Sequence, residues 1–189
     1  GHTVYGVDID EGMLNYAKKK AESQDIRLHL ALQDCTQLDL PIKSNFIYMT
    51  GNSFQHFLSN ESQNALLQSV KKHLHAGGEF VFDTRNPILS ELAMIETTEE
   101  FHYSPLGEKV TIQSREEYDP LLQLLTCTSV YSSHTNQYQD SIKLRYTYPL
   151  EMKRLLDQNG FEITSIYGSW EKQSFAENSI SMIVHAKLK

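Results

Sequence analysis

The chain is poor in several things, and each shortage excludes something. Two cysteines among 189 residues, Cys35 and Cys127, form no C-x-x-C and no metal-ligand spacing, so neither a disulfide framework nor a zinc site is expected. Both read as reduced, partly buried thiols of a cytoplasmic protein. No apolar run approaches the length of a membrane span, and the first residues lack a charged-then-apolar leader. Positive charge is also short: 17 Lys and Arg stand against 24 Asp and Glu, a net charge of −7. Nucleic-acid binding draws its affinity from basic patches, so that partner is not expected. One further absence is local. The strand at Thr3–Asp10, T-V-Y-G-V-D-I-D, is of the kind that comes second in nucleotide-binding α/β proteins, yet no strand with a glycine-rich turn precedes it.

Elsewhere the composition is ordinary for a globular domain: 40% hydrophobic and 22% charged. Asp10 is placed to cap a helix over residues 11–22, with Met13, Leu14, Ala17 and Ala21 on one face. R-L-H-L-A-L at 27–32 alternates as a strand. Residues 46–50 form a short apolar run, which predicts a strand buried on both faces. A helix is expected over 60–75, with Asn60 as N-cap and Gln63 completing a capping box. That reading competes with the glycosylation sequon Asn60-Glu61-Ser62. Ala76-Gly77-Gly78 is expected to end the helix in left-handed geometry, with His73-Leu74-His75 facing solvent, before a strand over 79–83.

This alternation predicts a mostly parallel sheet covered by helices, with polar clusters at the carboxyl ends of its strands, where such sheets bind ligands. Residues 88–96 read as a short helix. From 110 to 148 the chain is rich in Thr, Ser, Tyr and Val and is broken at Asp119-Pro120 and near Asn136. That pattern predicts three antiparallel strands, inserted over the ligand edge. A helix starting at Pro149 and two strands, 161–167 and 179–188, end the chain, the last antiparallel to the rest. Residues 1–189 are thus read as one domain with 88–148 as an inserted subdomain over its ligand edge.

Four stretches together carry a family resemblance: V-Y-G-V-D-I-D with Met13-Leu14; L-Q-D at 32–34 with L-D-L-P at 38–41; G-N-S-F-Q-H-F-L at 51–58; and V-K-K-H-L-H-A-G-G-E-F-V-F-D at 70–83. In this order the chain resembles the class I S-adenosylmethionine-dependent methyltransferases of the small-molecule type. The resemblance implies a three-layer Rossmann-like fold with an antiparallel C-terminal hairpin, here without the family's first strand and glycine-rich motif. It implies S-adenosyl-L-methionine as cofactor and a small-molecule acceptor methylated on N or O. In that frame Asp8 holds the ribose diol and Ile9 packs on the adenine. Asp34 accepts from the adenine amine beside the Cys35 backbone, and Thr50 and Gly51 lie against the methionyl part.

His56 is placed where a general base reaches the acceptor. Asn52, Gln55, Arg85, Tyr131 and Tyr146 are substrate-side candidates, and Tyr103, Tyr118 and Tyr148 belong to the same aromatic set. The three-stranded insertion would roof the acceptor pocket. No metal is implied, and a homodimer is left open. Lacking the first strand, the sheet would have a central gap, filled by a neighbouring chain or closed by approach of its flanking strands. The rival reading is an inactive remnant or a partner-completed binding domain. A nicotinamide-dependent oxidoreductase fits less well, because of the Gly77-Gly78 turn and the C-terminal hairpin.

Overall fold

Strand pairing divides the molecule into three sheets, in a computed structural model that describes residues 2–88, 90, 92–103 and 108–189, with side chains for all of these except 100–103 and 108. The first sheet is a parallel pair, β1 (Tyr5–Asp8) and β2 (His29–Leu32), joined by helix α1 (Glu11–Ser23). The Asp10 carboxylate caps α1 as expected, accepting from Met13 N at 2.9 Å. The apolar stripe is only half covered: Leu14, Ala17 and Ala21 are partly buried, whereas Met13 is 59% exposed.

The second sheet has the order β3-β4-β10-β9. β3 (Ser44–Met49) runs parallel to β4 (Leu74–Arg85), while β10 (Ser181–Leu188) is antiparallel both to β4 and to β9 (Phe161–Tyr167). The expected C-terminal hairpin is therefore present. Helices α2 (Asn60–His73) and α3 (Pro149–Gln158) bury Leu66, Leu67, Val70, Met152 and Leu156 against Phe80, Phe82, Met182 and Val184. Phe82 stacks on Phe54 at 4.7 Å and on Phe80 at 4.8 Å, making the aromatic centre of this core.

Several expectations are corrected here. The N-cap of α2 is Ser59, boxed with Ser62, not Asn60 with Gln63. The helix stops at His73, and β4 begins at once. Residues 75–78 bulge from the β3–β4 ladder, where Gly77 does take a left-handed φ of +73°. His73 and Leu74 are buried rather than solvated, the imidazole meeting Ser69 O at 2.8 Å and accepting from Leu40 N at 3.1 Å.

β3 is not buried on both faces, since Phe46 and Tyr48 are 50% and 58% exposed. Its ladder to β4 covers one edge. The other edge, and the edge of β1 away from β2, carry no ladder among the described residues. The flanking strands have not closed up.

The third sheet is an antiparallel meander of four strands, not three: β5 (Ile95–Tyr103), β6 (Glu108–Asp119), β7 (Leu124–Ser132) and β8 (Gln137–Arg145). The additional strand displaces the helix expected over 88–96. Leu92 N donates to Ile88 O at 3.2 Å before β5 begins at Ile95; residues 89 and 91 of that expected helix lie outside the described residues.

An unpaired strand edge leaves alternate amides bonded only to water. In hydrogen-exchange mass spectrometry or NMR, the outward amides of β3 are expected to exchange at least about a hundredfold faster than those of β4, which is paired on both sides. Equal protection would mean that the β3 edge is covered.

Candidate functional site

The carboxyl ends of β1, β2, β3 and β4 carry nearly all of the candidate residues. Asp8 and Leu32 are partners in the β1–β2 register, and Gln33 N donates to Asp8 O at 3.1 Å. Asp8 and Asp34 are therefore near neighbours at one sheet edge. Each spends one carboxylate oxygen locally. Asp8 Oδ1 accepts from Asp10 N at 2.9 Å, and Asp34 Oδ1 accepts from both the amide and the hydroxyl of Thr36 at 2.8 Å. The second oxygen of each takes no hydrogen bond among the described residues. Cys35 lies between their fields: burial first, then Asp34 and more weakly Asp8, push its thiol pKa up. Ile9, next to Asp8, is 73% exposed and offers an open apolar side chain.

This edge is tied to the second sheet through a 3-10 turn, Cys35–Gln37, that packs on α2. Leu38 N donates to Ser69 Oγ at 2.9 Å, and His73 of the same helix accepts from Leu40 N.

At the end of β3 the backbone makes a tight left-handed turn through Gly51 (φ +73°) and Asn52 (φ +57°). Nothing stands within 4 Å of a Cβ built on Gly51, so glycine is needed there for its dihedral angle and not for space. Asn52, without that freedom, is held by its amide, which donates to Asp83 Oδ1 at 2.9 Å. Its own Oδ1 is buried with no partner among the described residues. Thr50 and Gly51 are both exposed at this tip.

Beyond the turn, Gln55 is fully buried and His56 exposed. Gln55 Nε2 reaches Arg145 O at 3.5 Å, and its Oε1 is unpartnered among the described residues. Arg145 ends β8 and pairs with Glu151 at 2.9 Å and Asn60 at 2.7 Å. Gln63 adds a bond to Thr147 at 2.9 Å. The antiparallel meander is thus stitched by buried polar groups to the loop that carries His56.

The meander turns one face inward, and Glu116, Cys127 and Tyr131 on it are half-buried. Cys127 Sγ donates to Glu116 Oε1 at 3.8 Å. Burial and the Glu116 carboxylate push the thiol pKa up to about 11, against a smaller downward pull from Arg85. Arg85, at the end of β4, is therefore close enough to that face to act on it. Tyr131 faces Tyr138 at 6.0 Å.

Tyr146, a substrate-side candidate by sequence, is instead fully buried edge-on to Tyr118 at 5.8 Å and offers no surface to a ligand. Burial first, and then the nearby Tyr148, push the pKa of the Tyr118 hydroxyl up. The side chain of Tyr103 lies outside the described residues. Sequence reasoning passed over two further residues. Asp83, at the end of β4, is 7% exposed and accepts from Asn52 N and, at 3.4 Å, from the indole of Trp170, in the β9–β10 connection. An aspartate closing F-V-F-D and a lone tryptophan were the available signals.

A family model described as a methyltransferase domain matches residues 1–78. A putative methyltransferase of Geobacillus sp. (strain WCH70) is 21% identical over 193 residues, covering 99% of this chain and 76% of that protein. A S-adenosylmethionine-dependent methyltransferase from Clostridium acetobutylicum superposes with a TM-score of 0.86 at 16% identity, over 99% of this chain and 75% of its own. The chain shares the fold of solved S-adenosylmethionine-dependent methyltransferases. A further match is CalS10 of Micromonospora echinaspora, an amino pentose methyltransferase solved with S-adenosylmethionine bound. Its TM-score is 0.71 at 14% identity, over 99% of this chain and 74% of its own. Among the described residues there is no cluster of three metal-type ligands and no helix long and apolar enough to cross a membrane.

Two outcomes follow from these contacts. Replacing Arg145 with Ala leaves Glu151 and Asn60 without their partner, and is expected to cost about 3–5 kcal/mol in urea unfolding. Cys127, its pKa raised from 9 to about 11, is expected to alkylate at pH 8 roughly a hundredfold more slowly than a peptide thiol, read by mass spectrometry at successive times.

Proposed function

We propose that the chain binds S-adenosyl-L-methionine at the edge formed by β1 and β2 and directs methyl transfer to an N or O nucleophile of a small molecule. The observation that carries this reading is the pair Asp8 and Asp34. They are carboxylates at neighbouring parallel strand tips, each with one oxygen fixed by a local bond and one free. A vicinal diol and an exocyclic amine are donors that such oxygens accept. Asp8 would take the ribose, Asp34 the adenine amine, Ile9 the adenine face beside Cys35, and Thr50 and Gly51 the methionyl part. When bound, the cofactor supplies a sulfonium methyl already labile to in-line displacement.

The protein's own work is then alignment and exclusion of water. The left-handed turn at Gly51 and Asn52 fixes the tip of β3, and the meander lies over the acceptor side. Arg85, Asn52, Gln55 and Tyr131 are the residues proposed to shape that side, Gln55 from beneath. His56, exposed just past the turn, is proposed as the base that takes the acceptor's proton. The amino pentose acted on by CalS10 supports a small polar acceptor here.

The open edges of β1 and β3 favour a second reading, a binding domain completed by another polypeptide segment. Calorimetric titration with S-adenosylmethionine separates the two. Saturable binding, weakened at least about tenfold by Asp8→Ala, supports the first reading, because a diol held by a carboxylate loses two charge-assisted hydrogen bonds. No binding by a folded chain supports the second. His56→Ala is expected to leave that titration unchanged and to lower turnover by about a hundredfold where turnover is measurable. Unaltered turnover would remove His56 from the reaction.

A further inference from the structure

Asp83 is the only carboxylate among the buried charged groups of the described residues. The other charge buried to the same degree, Arg145, is ion-paired with Glu151. Asp83 forms no ion pair among the described residues. Its hydrogen bonds there are two, from Asn52 N at 2.9 Å and from Trp170 Nε1 at 3.4 Å, the second longer than a normal N–H···O bond. A carboxylate withdrawn from water without a counter-charge is costly, and two neutral donors do not replace its hydration. The position is also poorly chosen for mere stability. It lies at the carboxyl end of β4, beside the left-handed turn that ends β3, and under an indole that is 47% exposed.

An anion sheltered beside a half-exposed indole is a combination that holds an ammonium group, by ion pairing and, once the indole N–H is displaced, by attraction to the ring. We infer that Asp83 and Trp170 form a subsite for a cationic amine carried by the methyl acceptor. The inference rests on the methyl-transfer reading for its acceptor, but not for its chemistry. A neighbouring carboxylate favours the protonated amine over the free base. The group held here is therefore a handle that orients the acceptor, and the atom that takes the methyl is a different one. The indole bond, the weaker of the two, is the one a ligand displaces. The bond to Asn52 stays and keeps the turn in place.

Trp170 is the chain's one tryptophan, so indole fluorescence, excited at wavelengths that tyrosine does not absorb, reports this subsite alone. The probes are cyclohexylammonium and cyclohexanol at pH 7, of similar shape, the first cationic and the second neutral. Cyclohexylammonium is expected to give a saturable change, with half-saturation at least about tenfold lower than for cyclohexanol, and weakened by salt as an ion pair must be. Asp83→Asn, which keeps an acceptor for Asn52 and removes the charge, is expected to raise half-saturation for the ammonium at least about tenfold without moving that for cyclohexanol. Equal responses to the two probes would overturn the inference, as would an unaltered response in the variant. Should Asp83→Asn fail to fold, the wild-type comparison at low and high salt still decides, since a response without charge preference sinks the subsite. No cofactor is present in these titrations, so failure here is separate from failure to bind S-adenosylmethionine. Loss of cofactor affinity in Asp83→Asn with the amine response intact would also overturn it, giving the carboxylate to the cofactor's own cation.

Discussion

The ladder of backbone hydrogen bonds stops between β1 and β3, and the rest of the architecture is arranged around that break. Parallel strands depend on neighbours on both sides, because each leaves half of its amides and carbonyls pointing outward. Among the described residues β1 pairs with β2 alone and β3 with β4 alone. The consequences reach the side chains. Phe46, Tyr48 and Met13 belong to segments with the apolar pattern of buried elements, yet each is half exposed or more. The two acids of the β1–β2 edge keep their place relative to the second sheet through the 3-10 turn at Cys35–Gln37, whose trailing residues are bonded to Ser69 and His73 of α2. Buried histidine at that helix end thus has a positional role, in place of the solvated one its sequence context suggests.

The side proposed for the acceptor has a different construction. It stands on the phenylalanine-rich centre of the second sheet, where Phe54, Phe80 and Phe82 are buried completely. Polar groups with few alternatives then fix what stands on that platform. Arg145 bonds Asn60 and Glu151, Gln63 bonds Thr147, and Gln55 reaches the Arg145 carbonyl. Such a set costs more to half-satisfy than to omit, so it specifies one seating of the meander on the domain. The meander's inward face carries Glu116 and Cys127 within electrostatic reach of Arg85 at the end of β4.

What was legible in the sequence was the part governed by local chemistry. Asp10 capped its helix because a carboxylate there meets the N3 amide whatever surrounds it. The closing hairpin and the helix begun by Pro149 followed from periodicity and φ alone. Errors came where two local solutions were close in energy or where long-range contacts ruled. Ser59 and Asn60 both cap well, and the chain uses the first. β5, with its run T-T-E-E-F-H, carries too many charges to read as a strand, and pairs because β6 offers it a full-length edge. Tyr146 alternates with polar residues in sequence, but lies past the end of β8, where the chain turns inward to α3. Asp83 and Trp170 are 87 residues apart and meet only through the β4–β10 ladder, a pairing that no periodicity announces.

The net charge of −7, which at first only argued against nucleic acid, acquires a location in the fold. Asp8, Asp34 and Asp83 close three strands or their following turns at the carboxyl edge of the parallel sheets. In a dinucleotide-binding sheet that edge receives a pyrophosphate, drawn by helix N-termini and backbone amides. Here the amide of Asn52, which would serve such an anion, is already taken by Asp83, and the Asp10 and Asp34 carboxylates occupy the amides at the starts of α1 and the 3-10 turn. A phosphate would meet carboxylates where it needs donors. A ligand bearing hydroxyls, amines and positive charge meets acceptors that are already oriented. The carboxylates at this edge thus suit the hydroxyl-, amine- and sulfonium-bearing ligand proposed above.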